Sequence, residues 1–346
     1  MAEGESRISE KAPAWAYALW PLGVLFLALS ATRTSLTGGR GRGVDLGLPA
    51  LSVGNLTFGG TGKTPFTIHL ARRLQAMGRR PAVLLRGYSR ATAGASLVTP
   101  DSLPEAAGEE ALLLARSLPG VAVAVAERRE EGAALVAGHA NVLLLDDAFQ
   151  HVRVRREVDL LLVDASRPQD LHAPPVGRLR EPLRAARRAD LVVVTRGGLS
   201  ELPAPLASRV EGIPRAGVRF EWASAPEPAS SFNSWEALRG LPLVAFAGIG
   251  NPGAFFQQAR ENGLRLEASL AWPDHARPDG SRLQRLLDEV ERTHARAVLT
   301  TEKDHVKWAP LWPGPAPLLF PRLEARVEDP EGHLDRILRK LVGAGS

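Results

Sequence analysis

A glycine-rich stretch, LSVGNLTFGGTGKTP, occupies residues 51–65 and has the residue types that hold a nucleotide phosphate. Its glycines allow main-chain N–H groups to close around an anion, and the apolar-periodic helix that follows adds positive potential at its N-terminus. Lys63 can reach the β and γ phosphates and Thr64 offers a hydroxyl to Mg²⁺, although Thr57 replaces the usual first glycine of the motif. The predicted nucleotide-binding residues are Gly59, Gly60, Thr61, Gly62, Lys63 and Thr64. The stretch predicts ATP or GTP binding.

Two pairs of carboxylates could complete such a site. The apolar run NVLLLDD ends in Asp146 and Asp147, and P-loop enzymes present a carboxylate to the nucleotide's Mg²⁺ from the end of such a strand. Glu109 and Glu110 open an apolar helix, where they either complement the helix dipole or act as a general base and a metal-associated acid. The predicted metal ligands are Thr64, Asp146, Asp147 and Glu110.

Arginines follow two further segments. Arg86 and Tyr88 come after a short strand, the position at which open α/β sheets bind ligands, and guanidinium forks suit phosphate oxygens. A turn with solvated charges is the alternative. The Pro-rich loop at residues 174–182 carries Arg180 and Glu181, and a loop of this length is either functional or disordered.

His275 lies in a Pro-Asp-His segment between a strand-like run and a helix. A lone histidine is more often structural than catalytic. Its aspartate neighbour and loop setting favour a catalytic role without deciding it.

The elements that must position these residues have the pattern of a parallel α/β sheet. Fully apolar runs with polar ends recur at residues 141–147, 160–164 and 191–195, as expected for strands buried on both faces. A second α/β unit starts at Leu243, and its Ala-Gly-Ile-Gly-Asn-Pro segment lacks the third glycine of a dinucleotide fingerprint, which disfavours NAD.

Composition further narrows the possible classes of protein and partner. The chain has 346 residues, 45% of them hydrophobic, a formal net charge of +5 and no cysteine. Its length favours two α/β domains, and the absence of cysteine rules out disulfides and cysteine-based zinc sites. The densest basic region, residues 178–188, contains no aromatic residue, so nucleic acid is not a predicted partner.

Residues 12–31 carry no charge and place Trp15, Tyr17 and Trp20 toward one end, with basic residues on both sides. Twenty such residues just reach the length needed to cross a bilayer. A membrane anchor or dipping helix, a cleaved signal peptide and a buried core helix compete as interpretations. A nucleotide site soon after this segment argues against export.

Taken in order, these segments resemble the tetraacyldisaccharide 4'-kinase family of lipid A biosynthesis. The motifs are SVGNLTFGGTGKTP, LLRGYSR, AGEEALLLA, LLLLDDAFQH, GRLREP, FAGIGNP, WPDH and TTEKDHVK, and Thr57 is usual in that family. The resemblance implies ATP- and Mg²⁺-dependent phosphorylation of the 4'-hydroxyl of an acylated glucosamine disaccharide 1-phosphate, giving lipid IVA. It also implies a place at the cytoplasmic face of the inner membrane of a Gram-negative bacterium, in contact with membrane lipid. A monomer is expected.

The implied fold is a P-loop NTPase-like parallel-sheet kinase domain plus a smaller α/β domain, preceded by a membrane-associated helix. The expected boundaries are 1–35 for the helix, 36–215 for the kinase domain, 216–240 for a linker and 241–346 for the smaller domain. By resemblance, the catalytic residues are Glu109, His275, Asp147 and Lys63. The residues expected along the substrate and phosphate cleft are Arg86, Tyr88, Gln150, Arg180 and Glu181.

The chain departs from the family at the proposed base, because Glu109 stands where similar enzymes have an aspartate paired with the histidine of Pro-Asp-His. The unperturbed pKa values of the two side chains differ little, about 4.3 against 3.9. The extra methylene moves the carboxylate by roughly 1 Å, a displacement that can cost about 10²-fold in rate. Either the local backbone accommodates the longer side chain or Asp147 takes more of the role.

A membrane-associated P-loop switch or partition-type ATPase is the alternative class. Partition ATPases place a signature lysine directly before the glycine pair, where this chain has Phe58. A kinase is therefore favoured.

Overall fold

The computed structural model describes residues 13–36, 43–88, 90–228, 232–274 and 276–343. Near the N-terminus, α1 (Ala14–Ala18) and α2 (Trp20–Leu36) are separated by a break at Leu19. Within these ranges no helix combines the length and the apolar character needed to cross a membrane.

The remaining elements alternate between strands and helices. The strands are β1 (Ala50–Asn55), β2 (Pro81–Leu85), β3 (Ser96–Val98), β4 (Ala122–Val125), β5 (Val142–Asp146), β6 (Val158–Asp164), β7 (Leu191–Thr195), β8 (Arg215–Glu227), β9 (Pro242–Ala247), β10 (Arg265–Ala271), β11 (Ala297–Leu299) and β12 (Leu318–Glu328). The helices are α3 (Lys63–Ala76), α4 (Pro104–Ala107), α5 (Glu109–Ser117), α6 (Arg129–Val136), α7 (Ala204–Ala207), α8 (Pro252–Glu261), α9 (Gly280–Thr293), α10 (Glu302–Trp308) and α11 (His333–Gly343). Short 3₁₀ helices lie at Pro168–Leu171, Leu183–Arg188, Glu236–Leu238 and Ala309–Leu311.

All strands belong to one sheet in the order β10-β9-β11-β12-β8-β7-β6-β1-β5-β2-β4-β3. From β8 to β4 every pairing is parallel, and β3 closes that edge antiparallel. At the other end, β10, β9, β11 and β12 pair parallel to each other. The long strands β8 and β12 pair antiparallel between these two sets.

Helices cover both faces of the parallel strands, as their fully apolar sequences require. One face packs on α3, α5 and α11, with Phe66, Leu112 and Leu338 in the shared core. The opposite face carries a core that includes Phe149 and the 3₁₀ helix Leu183–Arg188. The predicted α/β fold with a parallel sheet is confirmed. The division into domains at 216–240 stays a prediction.

Parallel strands bring their carboxyl ends to one edge of the sheet. The segments that follow β1, β2 and β5 carry most of the residues singled out in the sequence, so the sheet gathers them at one place. Two strands are longer than the local pattern predicts, β8 beyond Gly217–Trp222 and β12 beyond Leu318–Phe320. Their mutual pairing, about a hundred residues apart in the chain, extends both.

Candidate active site

The glycine-rich loop joins the end of β1 to α3, which begins at Lys63. Gly59 has φ of 112° and Gly62 of 86°, values in the left-handed region that favours glycine. A Cβ on Gly62 would come within 2.2 Å of the Phe220 ring, so β8 closely approaches the loop there. Thr195 Oγ1, at the end of β7, donates a hydrogen bond of 3.1 Å to the main-chain oxygen of Thr61. The loop therefore has the predicted strand–loop–helix context of a phosphate cradle.

The Lys63 ammonium group lies between two side-chain oxygen atoms. Its Nζ is 3.4 Å from Oδ1 of Asn55 and 3.4 Å from Oδ1 of Asp147. The ammonium group is thus held at the end of β1, beside the cradle, where a nucleotide phosphate would meet it.

Asp146 is buried at the end of β5 and accepts a hydrogen bond of 2.9 Å from Thr67 Oγ1. Burial, then the nearby negative charge of Glu110, raises the pKa of Asp146 to about 7, although Lys63 acts in the opposite direction. A cation bound next to Asp146 would stabilise the ionised form of its carboxyl group.

Asp147 follows with φ of 48°, a left-handed conformation that turns its carboxylate away from the strand direction. Arg180 Nη1 donates to both carboxylate oxygens, at 3.0 and 2.8 Å. Burial opposes ionisation of Asp147, but Lys63 and Arg180 outweigh it, so the pKa of Asp147 is lowered. The two adjacent aspartates therefore differ in pKa, and Asp147 is the more readily ionised.

Arg180 also lies over the Phe58 ring, with Cζ 5.0 Å from the ring centroid. The side chain of Glu181, by contrast, is almost fully buried, and it accepts hydrogen bonds from Thr34 Oγ1 at 2.8 Å and Arg188 Nη2 at 2.6 Å. Gln150 Nε2 donates to the main-chain oxygen of Asn55 at 2.7 Å.

The two glutamates at the start of α5 face two lysines of α10. Lys303 Nζ donates to Oε1 of Glu110 at 2.6 Å, and Lys307 Nζ lies 3.6 Å from Oε2 of Glu109. The charge of Lys303, opposed by burial, lowers the pKa of Glu110. His275, the predicted partner of Glu109, lies outside the described residues.

Arg86 and Tyr88 follow β2. Arg86 Nη1 donates to the Tyr88 hydroxyl at 2.8 Å, and the Tyr88 side chain is exposed. This pair lies at the rim of the site. The exposed phenol ring of Tyr88 is accessible to a large ligand there.

Arg129, His151 and Arg196 were not singled out as site residues from the sequence. Arg129 begins α6, is buried, and donates to the main-chain oxygen of Asp146 at 3.1 Å. Burial lowers the pKa of Arg129 to about 10, and burial followed by the charge of Arg129 lowers that of His151 to about 4. Arg196 Nη1 donates to the main-chain oxygen of Gly60 at 2.8 Å. The signal that could have found Arg129 and Arg196 is their position after β4 and β7.

One cavity of about 2390 Å³ is lined by nearly all of these side chains and by residues of α2, α5, α8 and α10. It brings together the glycine-rich loop, Asp146, Asp147, Arg180 and both glutamates of α5. The residues predicted from separate segments therefore share one site.

The donors around the loop suit Mg²⁺. No group of three or more His, Asp or Glu side chains that could hold a metal occurs in the described part of the chain. In P-loop proteins, however, one hydroxyl and one or two carboxylates share the ion with phosphate oxygens and water, so such a group is not required. Thr64 with Asp146 and Asp147 supplies this donor set, and the raised pKa of Asp146 fits a carboxylate that needs a cation.

The fold and the loop geometry define a P-loop protein with a parallel α/β core. A family model described as tetraacyldisaccharide-1-P 4'-kinase matches residues 15–342, and the chain belongs to that family. Proteins named tetraacyldisaccharide 4'-kinase are similar across most of it. The one from Pelobacter propionicus is 40% identical over 304 residues, 85% of this chain and 83% of its own length. That from Geobacter sulfurreducens is 40% identical over 305 residues, 84% of each.

A solved structure agrees with this placement. The crystal structure of LpxK from Aquifex aeolicus in complex with ATP has a TM-score of 0.75 at 27% identity. The match covers 94% of this chain and 99% of that one.

Proposed function

We propose that this protein is an ATP-dependent kinase that transfers the γ-phosphate of ATP to the 4'-hydroxyl of a tetraacyldisaccharide 1-phosphate. The observation that carries the proposal is the single cavity in which Lys63 of the phosphate cradle lies 3.4 Å from Asp147, with Glu109 on the same lining. Family membership over residues 15–342 supplies the acceptor, and the ATP in the Aquifex aeolicus structure supports the donor.

Phosphoryl transfer requires alignment and charge stabilisation more than covalent chemistry. In the proposed reaction the oxygen of the 4'-hydroxyl forms a bond to the γ phosphorus while the bond to the β–γ bridging oxygen breaks, which leaves ADP. Lys63 and the loop N–H groups stabilise charge on the β and γ phosphates, and Arg180 holds Asp147 toward the same place.

Glu109 is the proposed base that takes the proton from the 4'-hydroxyl, with His275 as its partner. Its place at the start of α5 is held from across the cavity by the charge of Lys307. Glu109 has one methylene more than the family's aspartate. The contact with Lys307 is where we propose that the chain accommodates this longer side chain. Arg86, Tyr88 and Gln150 are the proposed contacts to the acceptor and the transferred phosphate.

Mg²⁺ is the proposed metal, held by Thr64, Asp146 and Asp147, and it would neutralise charge on the β and γ phosphates. Glu110 is the fourth proposed ligand; it is paired with Lys303, and its charge raises the pKa of Asp146.

The acceptor is a lipid, and α1 and α2 present apolar side chains to solvent, among them Trp15, Leu22 and Leu29. Exposed apolar surface of this kind on a helix suits the interfacial region of a membrane. This surface supports association with a membrane. We further propose that the protein acts as a monomer at the cytoplasmic face of the inner membrane of a Gram-negative bacterium.

The test is direct. Purified protein in detergent with γ-labelled ATP, Mg²⁺ and tetraacyldisaccharide 1-phosphate is expected to yield a labelled bisphosphorylated lipid, and excess EDTA should abolish the product. The kinase assignment would be rejected if ATP hydrolysis does not depend on the lipid and no labelled lipid forms at any detergent or Mg²⁺ concentration. An ATPase switch would then be favoured.

A further inference from the structure

One side of α2 makes the contacts that hold this helix on the protein. Gly23 is buried, and Leu27, Ser30 and Thr34 are half-buried, while most of their neighbours in α2 are exposed. Their spacing along the chain places these four residues on one face of an α-helix. We refer to Gly23, Leu27, Ser30 and Thr34 as the docking face.

The first half of the docking face makes apolar and backbone contacts. A Cβ on Gly23 would come within 1.6 Å of the main-chain oxygen of Pro174, so only glycine allows the helix to lie this close to that loop. Leu27 packs against the core that contains Phe149 and Leu179. The helix is therefore seated on the loop that begins at Pro174.

The second half makes directed hydrogen bonds to the end of the same loop. Ser30 Oγ donates to the main-chain oxygen of Arg180 at 3.0 Å. Thr34 Oγ1 lies 2.8 Å from Oε1 of Glu181 and 3.1 Å from the main-chain oxygen of Ser30, and the nearer, charged acceptor is the better partner for its single proton. Both hydroxyls come from the helix, and Arg180 and Glu181 are adjacent in sequence.

This loop segment is in turn bound to the phosphate cradle. Phe58 N donates to the main-chain oxygen of Arg178, and Arg180 N donates to that of Leu56, each at 2.7 Å. The Arg180 guanidinium then donates to both oxygens of Asp147. Movement of the segment would shift the start of the cradle and the clamp on Asp147 together.

A second connection reaches the same aspartate from Glu181. Arg188 Nη2 donates to Oε2 of Glu181 at 2.6 Å and to the main-chain oxygen of Phe149 at 3.2 Å. Its Cζ also lies 4.6 Å from the centroid of the Phe149 ring. Phe149 is two residues after Asp147, so Glu181 braces the turn that carries the carboxylate.

We propose that α2 is a positioning element for phosphoryl transfer, in which Ser30 and Thr34 hold residues 174–181 so that Arg180 stays aligned on Asp147. One nitrogen of Arg180, Nη1, donates to both oxygens of Asp147, so the contact depends on where the guanidinium is held. A displacement near 1 Å in a reacting site can cost about 10²-fold in rate. Both residues border the cavity, and in this proposal their hydroxyls act through Arg180 and Glu181. The kinetic part of this inference rests on the proposed kinase function.

Thr34→Val is the informative variant, because it keeps the shape of the side chain and removes the donor. Thr32→Val is the matched control, since Thr32 is exposed on the same helix and its hydroxyl bonds only to the main-chain oxygen of Ala28 among the described contacts. We expect Thr34→Val to lower kcat about 10-fold, as loss of a hydrogen bond to a charged group allows, with KM for ATP within about twofold of wild type. Thr34→Ser should restore kcat. Equal kcat for Thr34→Val and Thr32→Val would overturn the proposal.

Hydrogen–deuterium exchange of the full chain in detergent separates this inference from the proposed function, since it needs no acceptor. The amides of residues 178–181 and 56–58 should exchange faster in Thr34→Val than in Thr32→Val, and faster still in Gly23→Leu, which cannot dock. Unchanged exchange in Gly23→Leu would show that α2 does not hold the loop. If Thr34→Val and Gly23→Leu exchange faster but the wild-type protein transfers no phosphate to the lipid, the docking of α2 stands. Only the kinase assignment is then rejected.

Discussion

Lys307 joins the two carboxylates that meet between α5 and α10, with Nζ 3.6 Å from Oε2 of Glu109 and 3.0 Å from Oδ1 of Asp304. The lysine side chain is 6% exposed and that of Asp304 is 1% exposed. Asp304 also accepts hydrogen bonds of 2.8 Å from Gly248 N and Thr301 Oγ1. A single ammonium group thus ties the proposed base to the end of β9.

Removal of this charge should destabilise the fold. In Lys307→Met the carboxylate of Asp304 stays buried without its cation, which costs about 3–5 kcal/mol of unfolding free energy. Urea unfolding followed by tryptophan fluorescence measures the loss.

Lys303→Met is the matched control for that experiment, because Lys303 and Glu110 form a pair whose side chains are 33% and 42% exposed. Solvent screens this half-exposed pair more than the buried pair of Lys307 and Asp304, so the variant should lose less than about 1 kcal/mol. Equal losses in the two variants would contradict the assigned role of Lys307.

Glu109→Gln should lower kcat far more than it raises KM. The amide keeps the size of the side chain but cannot accept the proton of the 4'-hydroxyl, and loss of a general base typically costs about 10²–10⁴-fold. Glu110→Gln, one residue along and paired with Lys303, should stay within about 10-fold of wild type. Steady-state kinetics with the lipid acceptor give both values, and wild-type turnover in Glu109→Gln would move the base to Asp147.

The sequence predicted the strands that carry the site because their apolar runs and polar ends are local features. Asp146 and Asp147 could be placed at a strand end, and Lys63 at a helix start, without any long-range information. The pairing of Lys307 with Glu109 could not be predicted, because it joins segments almost two hundred residues apart that only the sheet order brings together. Glu181 could be selected from its motif, but its burial could not be predicted. That burial depends on where α2 docks, because Thr34 donates a hydrogen bond to its carboxylate.

Arg180→Lys tests whether the shape of the guanidinium matters beyond its charge. Lysine retains the positive charge but has no planar group that can lie over the Phe58 ring while a nitrogen donates to Asp147. We expect kcat to fall about 10- to 100-fold, with little change in melting temperature because the backbone bonds of residues 178–180 to the cradle remain. Arg178→Lys is the control, since its guanidinium interacts with Asp170 rather than with Asp147. A similar fall in both variants would indicate a general disturbance of the loop by either side-chain replacement rather than loss of the contact with Asp147.

Stability should fall on acidification partly through His305, which stands in α10 with its ring 4.5 Å from that of Phe320. Burial, assisted by the charge of Arg116, lowers the pKa of His305 to about 4, against about 6.5 in an unfolded chain. The unfolded state therefore binds the proton first, so the stability that neutral His305 contributes is complete above pH 6.5 and is lost as the pH falls toward 4. A shift of this size corresponds to roughly 3 kcal/mol. In His305→Gln the decline in unfolding free energy between pH 6.5 and 4.5 should be shallower than in wild type, while the contributions of His69 and His151 cancel in the comparison. Urea titrations across that range measure both slopes, and parallel slopes would show that His305 titrates alike in the folded and unfolded states.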